Sequence, residues 1–110
     1  MAESYAVIIT EPAEQDLEEI LEYISEKGGT QSAENTRDAI LDAIDGLANM
    51  PDRHGRVKEA ISREDIIYRR VIVNKKYRVI YKIEETEMDV YVVRILHVKR
   101  GPAFVKEALR

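Results

Sequence analysis

Cysteine is absent from all 110 residues, which excludes a disulfide framework and a thiolate metal site and makes a reducing compartment the expected setting. Long apolar runs are missing too. Nothing approaches the ~20 consecutive apolar residues of a membrane-spanning helix, so no membrane association is expected. Residues 1–9 place no basic residue ahead of an apolar stretch and do not read as a secretory signal, which leaves the cytoplasm as the expected location. Glycine numbers five and proline three, without any low-complexity tract. The chain is therefore expected to fold throughout, termini apart, as one domain over residues 1–110. His, Asp and Glu nowhere take zinc-ligand spacing, no Ser/His/Asp set is apparent, and no glycine fingerprint for a dinucleotide occurs. Lys27, Gly28, Gly29 and Thr30 faintly resemble a phosphate loop, but no strand precedes them and the order is wrong, so a turn between helices is the simpler reading. Neither a metal nor a cofactor is expected.

Charge is present in quantity, and it is polarised. Residues 1–50 carry twelve acidic side chains against two basic ones, whereas residues 51–110 carry fifteen basic against nine acidic. The net charge of −4 thus conceals halves of about −10 and +6. Arg69, Arg70, Lys75, Lys76, Arg78, Lys82, Arg94, Lys99 and Arg100 fall on or beside strand-like segments. A basic sheet face beside an acidic helical layer would suit a polyanion or an acidic protein partner. The plainer alternative is two solvated amphipathic helices, with the cations acting as edge-strand solubility devices.

The periodicity gives an order of elements. Residues 5–9 form a short β-rich run that stops at Thr10, Glu11 and Pro12, where Thr10 can cap a helix and Pro12 fits its first turn. Leu17, Ile20, Leu21 and Ile24 then recur at helical spacing, with Glu14, Glu18, Glu19 and Glu22 around the other face. Lys27 suits the negative pole of that helix, and Gly28 with Gly29 ends it. Thr30 or Ser32 can cap a second helix, whose stripe of Ala33, Ile40, Ile44 and Leu47 continues until Met50 and Pro51 break it. So short a glycine connection makes the pair an antiparallel hairpin.

After a polar connection over residues 51–65 the period becomes strand-like. Residues 66–73, 77–83 and 90–98 are rich in Val, Ile and Tyr and read as an antiparallel meander. In the middle one, Tyr77, Val79, Tyr81 and Ile83 alternate with Arg78, Ile80 and Lys82. The first set should pack on the hairpin and the second should look outward, presenting Arg78 from a rigid strand. Residues 90–98 are apolar on both faces, as a central strand covered on both sides would be. Gly101 and Pro102 end it, and residues 103–109 form a last short helix or a tail. The expected class is α+β: an N-terminal strand, an antiparallel helical hairpin and a three-strand antiparallel meander.

The order of these elements, with Asp16-Leu17-Glu18-Glu19-Ile20, Tyr23-Ile24, Tyr77-Arg78-Val79-Ile80-Tyr81, Val93-Arg94-Ile95-Leu96-His97 and Lys99-Arg100, resembles the RelE/ParE superfamily of toxins from toxin–antitoxin modules. The resemblance covers nearly the whole chain. It implies a hairpin packed on a twisted antiparallel sheet, and a cognate antitoxin whose extended segment wraps the toxin in a hetero-oligomer. It also implies one of two targets: DNA gyrase, or the ribosome with its mRNA.

RelE-like members cleave mRNA on the ribosome without a metal. They need a base for the 2′-hydroxyl, cations for the scissile phosphate and an acid for the leaving oxygen. By that resemblance Arg78 matches the strand arginine, Arg100 the arginine past the last strand, and His97 the proton carrier. Arg69, Arg70, Lys82 and Lys99 would contact the nucleic acid or another target. The tyrosine that some RelE-like enzymes carry in the C-terminal tail has no counterpart, since Phe104 is the only nearby aromatic and cannot transfer a proton. ParE-like members inhibit gyrase and require no catalytic residues, and the long hairpin looks more like that branch. A third alternative is a relative of the same fold that only binds a protein. Each candidate also has a structural reading: His97 as a strand-end histidine on a backbone carbonyl, Arg78 paired with Glu84 or Asp89, and His54 in an exposed polar loop.

Overall fold

The computed structural model describes residues 4–60 and 66–110. Residues 61–65 of the expected polar connection lie outside the described residues. The described chain runs β1 (Ala6–Ile9), α1 (Glu11–Gly28), α2 (Thr30–Asp45), short 3-10 turns at Gly46–Ala48, Pro51–Arg53 and Lys58–Ala60, then β2 (Arg69–Val73), β3 (Tyr77–Glu84), β4 (Asp89–His97) and α3 (Pro102–Ala108). The sheet order is β1-β4-β3-β2. The meander is antiparallel as its alternation requires, and β1 joins the far edge parallel to β4, pairing Val7 with Val90 and Ile9 with Val92. No helix among the described residues is long and apolar enough to cross a membrane.

The helix boundaries depart from expectation where the backbone solves the problem without a side chain. Thr10 occupies the N-cap of α1, yet its hydroxyl donates to the Val92 carbonyl at 2.8 Å instead of capping the helix. It thereby ties the helix start to β4. Neither Thr30 nor Ser32 caps α2, because Gly29, at a φ of 89° that disfavours any side chain, is at once the C-cap of α1 and the N-cap of α2. The second helix also ends earlier than Pro51, at Asp45, where the chain tightens into a 3-10 turn at Gly46. Met50, in the left-handed region at φ 47°, makes the bend ahead of Pro51.

The hairpin face of the sheet carries the main core. Ile40, Ile44 and Leu47 of the second helix and its continuation, with Ala13 of α1, pack on Val73, Tyr77, Val79, Tyr81, Val90, Val92 and Ile95. Tyr77, Val79 and Tyr81 therefore point to the hairpin as their spacing predicts. The other face does not simply look outward. A second cluster lies on it, in which Val57 and Tyr68 of the segment before β2 and Val105 and Leu109 at the C-terminal end pack on Ile80 of β3 and Leu96 of β4. The connection over residues 51–60 is accordingly not a plain polar loop: Pro51 and Val57 are both buried in it. As expected for a strand apolar on both faces, β4 lies inside the sheet with a cluster on each side.

Candidate functional site

Arg78 is the most unusual side chain on the outer face. Strand alternation places it beside Ile80 on the face that α3 covers, and it is 8% exposed. A guanidinium cannot lose its charge to escape burial, so it must be paired. Its Nη1 donates to the Glu59 carboxylate at 3.0 Å and its Nη2 to the Arg100 carbonyl at 3.1 Å. One side chain thus clamps two covering segments, the 3-10 turn at Lys58–Ala60 and the approach to α3, onto the sheet. Burial raises the Glu59 pKa, but the hydrogen bond and charge of Arg78, with Arg70 nearby, more than offset this and hold it below 4.5. The Arg78 Nε is buried without a hydrogen-bond partner among the described residues. The expectation that Arg78 points into solvent is corrected here, and so is its pairing with Glu84 or Asp89. Its partner comes from the connection, which carries no periodicity to mark it.

His97 is on the opposite face. It pairs across the ladder with Tyr77, while Arg78 pairs with Leu96, and neighbouring positions in a strand point to opposite sides. The His97 ring meets the Tyr77 ring edge-on at 5.6 Å between centroids. Its Nδ1 accepts from the Lys99 backbone N–H at 3.0 Å, so the ring is held as an acceptor at the turn after β4 rather than on a carbonyl. Arg100 approaches Arg78 through its carbonyl only. Its guanidinium turns away and stacks over Phe104 at 4.4 Å. Arg78 and Arg100 are therefore neighbours, but the sheet stands between Arg78 and His97.

Two of the remaining cations, Arg69 and Arg70, meet the loop that carries Arg53 and Arg56, and Arg56 bridges to Arg69. Arg69 reaches toward the hairpin side and donates to the His54 carbonyl at 2.7 Å, while Arg70 on the outer side lies so close to Gly55 that a Cβ there would stand 2.9 Å from its Nη1. Lys82 sits over the Tyr91 ring at 5.7 Å and pairs with Glu84 at 3.5 Å. Lys99 is exposed in the turn beyond β4. His54 is half-buried instead of exposed. Its ring stands edge-on to Tyr81, and burial together with Arg53 and Arg69 lowers its pKa from 6.5. Tyr81, fully buried, donates to the Pro51 carbonyl, and burial pushes its own pKa up to about 12.

One ion pair joins two residues that nothing local in the sequence links. Asp16 occupies a core-facing position of α1 and is 9% exposed. Its carboxylate takes Arg94 Nε at 2.7 Å, Arg94 Nη2 at 2.8 Å and the Ile95 backbone N–H at 2.9 Å. It stands where β1 has already left the sheet, so it satisfies a β4 donor that no strand reaches. A lone acid within an apolar helical stripe was the available signal. Glu59 gave none. Among the described residues, no group of three or more His, Asp or Glu could hold a metal ion.

Residues 7–102 match the family described as the ParE toxin of the type II toxin–antitoxin system, parDE. Among solved structures, the chain is similar to the chromosomal ParDE toxin–antitoxin system from P. aeruginosa, with a TM-score of 0.70 at 16% identity, covering 87% of this chain and 98% of that one. It is also similar to the toxin–antitoxin complex RelBE2 from Mycobacterium tuberculosis, with a TM-score of 0.59 at 22% identity, covering 89% of this chain and 95% of that one. No curated protein sequence matches it.

Proposed function

The chain belongs to the ParE toxin family of type II toxin–antitoxin systems, and from that premise we propose that it arrests growth by binding DNA gyrase and is neutralised by a cognate antitoxin in a heterocomplex. The observation that favours binding over RNA cleavage is the separation of Arg78 from His97. A ribonuclease needs its proton carrier and its phosphate-binding cation within hydrogen-bond reach of one scissile group. Here they lie on opposite faces of the sheet, with Arg78 already engaged by Glu59. Inhibition by binding requires no proton transfer and is compatible with that arrangement.

The test is induction of the chain alone and of His97→Ala, with plasmid supercoiling and mapped mRNA ends as readouts. Wild type and variant are expected to arrest growth equally, with altered supercoiling, and expression of the adjacent gene is expected to reverse the arrest. Codon-phased mRNA cuts that vanish in the variant would instead make it a ribosome-dependent nuclease. Normal growth at high soluble expression would leave a protein-binding relative without toxicity.

A further inference from the structure

The free edge of β2 is closed by a short piece of the connection before it. Arg56 bridges to Arg69 in antiparallel sense, with the Val57 N–H on the Tyr68 carbonyl at 2.8 Å and the Arg70 N–H on the Gly55 carbonyl at 3.0 Å. These two bonds flank the bridge, so Arg56 and Arg69 form a non-hydrogen-bonded pair, the kind that brings opposing side chains closest. Like charges set opposite each other in a ladder destabilise it. Both side chains start out on the hairpin side, Arg69 by its pairing with Tyr81 and Arg56 because Val57 beside it is buried in the outer cluster. Arg53 joins them from the preceding 3-10 turn. Its Nε donates to His54 Nε2 at 3.3 Å, while Arg69 donates to the carbonyl of the same residue. Burial and the two flanking cations lower the His54 pKa, so both acceptors are neutral. Asp52 lies in that turn, yet among the described residues no carboxylate pairs with Arg53, Arg56 or Arg69. Three guanidinium groups thus stand together without an anion.

We propose that Arg53, Arg56 and Arg69 bind the phosphate backbone of duplex DNA. The cation site follows from the bridge itself, whereas the choice of DNA over RNA rests on the reading that gyrase is the target, since an inhibitor seated on gyrase lies beside the DNA that enzyme holds. Guanidinium forks match phosphate oxygens in pairs and cannot shed their charge, and a phosphate between Arg56 and Arg69 turns their repulsion into a shared contact. The edge is open, with Arg53 and Arg56 exposed, so it does not enclose a small ligand as a pocket does. It is also too short to take an acidic peptide as an added strand. Within residues 55–57 only Arg56 turns its N–H and carbonyl away from β2, and the 3-10 turns at Pro51–Arg53 and Lys58–Ala60 end the extended stretch on both sides. What remains is recognition by charge, which is how a protein meets a nucleic-acid backbone without reading its sequence. The acidic hairpin beside the site confines the contact to this rim.

The probe is a labelled DNA duplex of random sequence, titrated with the full chain in the absence of gyrase and followed by fluorescence anisotropy at several salt concentrations. Binding on the order of 10 μM at low salt is expected, with log affinity falling against log salt at a slope of about −3, one step for each phosphate contacted. Arg56→Ala should weaken binding about 5-fold and reduce that slope by about 1. It should melt no lower than the wild type, because it removes one of two like charges that face each other. Arg53→Glu combined with Arg56→Glu should abolish binding, whereas Lys106→Ala, exposed on α3, should leave it unchanged. Wild-type affinity in the doubly reversed chain, or a loss that appears only together with a lower melting temperature, would overturn the site. Polyglutamate or inorganic phosphate that competes as well as unlabelled duplex at matched ionic strength would assign the cations to an acidic peptide or a free phosphate and overturn the proposal. Tighter binding to an RNA duplex of the same length would overturn the choice of DNA. Unaltered supercoiling in cells beside intact DNA binding would remove the gyrase reading and leave the site standing.

Discussion

The two faces of one sheet are built by different rules. Toward the hairpin, Tyr77, Val79, Tyr81, Val90, Val92 and Ile95 meet Ile40, Ile44 and Leu47 in a continuous apolar cluster. Away from it, a smaller cluster holds a buried arginine and stops before the sheet does, leaving Ile8 exposed beside a groove lined by Tyr91. The first face is where stability is concentrated, because apolar burial needs no partner beyond this chain. The second keeps polar groups and bare apolar surface, features that cost stability and are more readily explained by something the protein binds.

The contrast can be broken first at the core. Leu47→Ala, at a fully buried position under the hairpin, should lower unfolding free energy by about 3 kcal/mol, whereas truncating Ile8 should cost well under about 1 kcal/mol. Urea unfolding of the two variants measures the difference, and equal losses would erase the distinction between the faces.

Next comes the clamp. Arg78→Ala should destabilise by about 2 kcal/mol, less than the loss on breaking a wholly buried pair because the Glu59 side chain keeps 17% exposure. The loss should be accompanied by faster amide exchange in α3, while exchange in α2 is unchanged. Arg78→Met should recover part of the stability by removing the buried charge without opening a cavity. Uniform loosening of both faces would show that Arg78 is not a local clamp.

The smallest expected effect is a pH dependence in the loop joining the two faces. Burial, with Arg53 and Arg69, lowers the His54 pKa in the folded chain, so on acidification the unfolded chain binds the proton first. Stability should be full above the unfolded value of about 6.5 and decline as pH falls through it toward the folded value. His54→Gln should flatten the difference in urea midpoint between about pH 7.5 and 5.5. Glu59 acts separately, at lower pH. Its contribution is present above its unfolded value of 4.5 and is lost as pH falls through its lower folded one.

Much of the architecture was legible because it depends on local period. The stripe from Leu17 to Ile24, the glycine turn and the alternation from Tyr77 to Ile83 each state which face is apolar within a few residues. The reading failed where the deciding partner lay far along the chain. Arg78 reads as outward because its neighbours in β3 do not reveal Glu59 or α3. Asp16 and Arg94 stand 78 positions apart, and nothing local pairs them. The resemblance makes companions of His97 and Arg78, whereas strand alternation sets them on opposite faces.

What the sequence determined by itself is the set of elements, their order and the hairpin side of the sheet, since propensity, capping and period act over a turn or a few residues. Only the tertiary structure decided what covers the outer face, because burial depends on which distant segment arrives there. That arrival turned Arg78 from a presented cation into a clamp, enlisted Asp16 to satisfy β4 where β1 ends, and left Ile8 of β1 exposed.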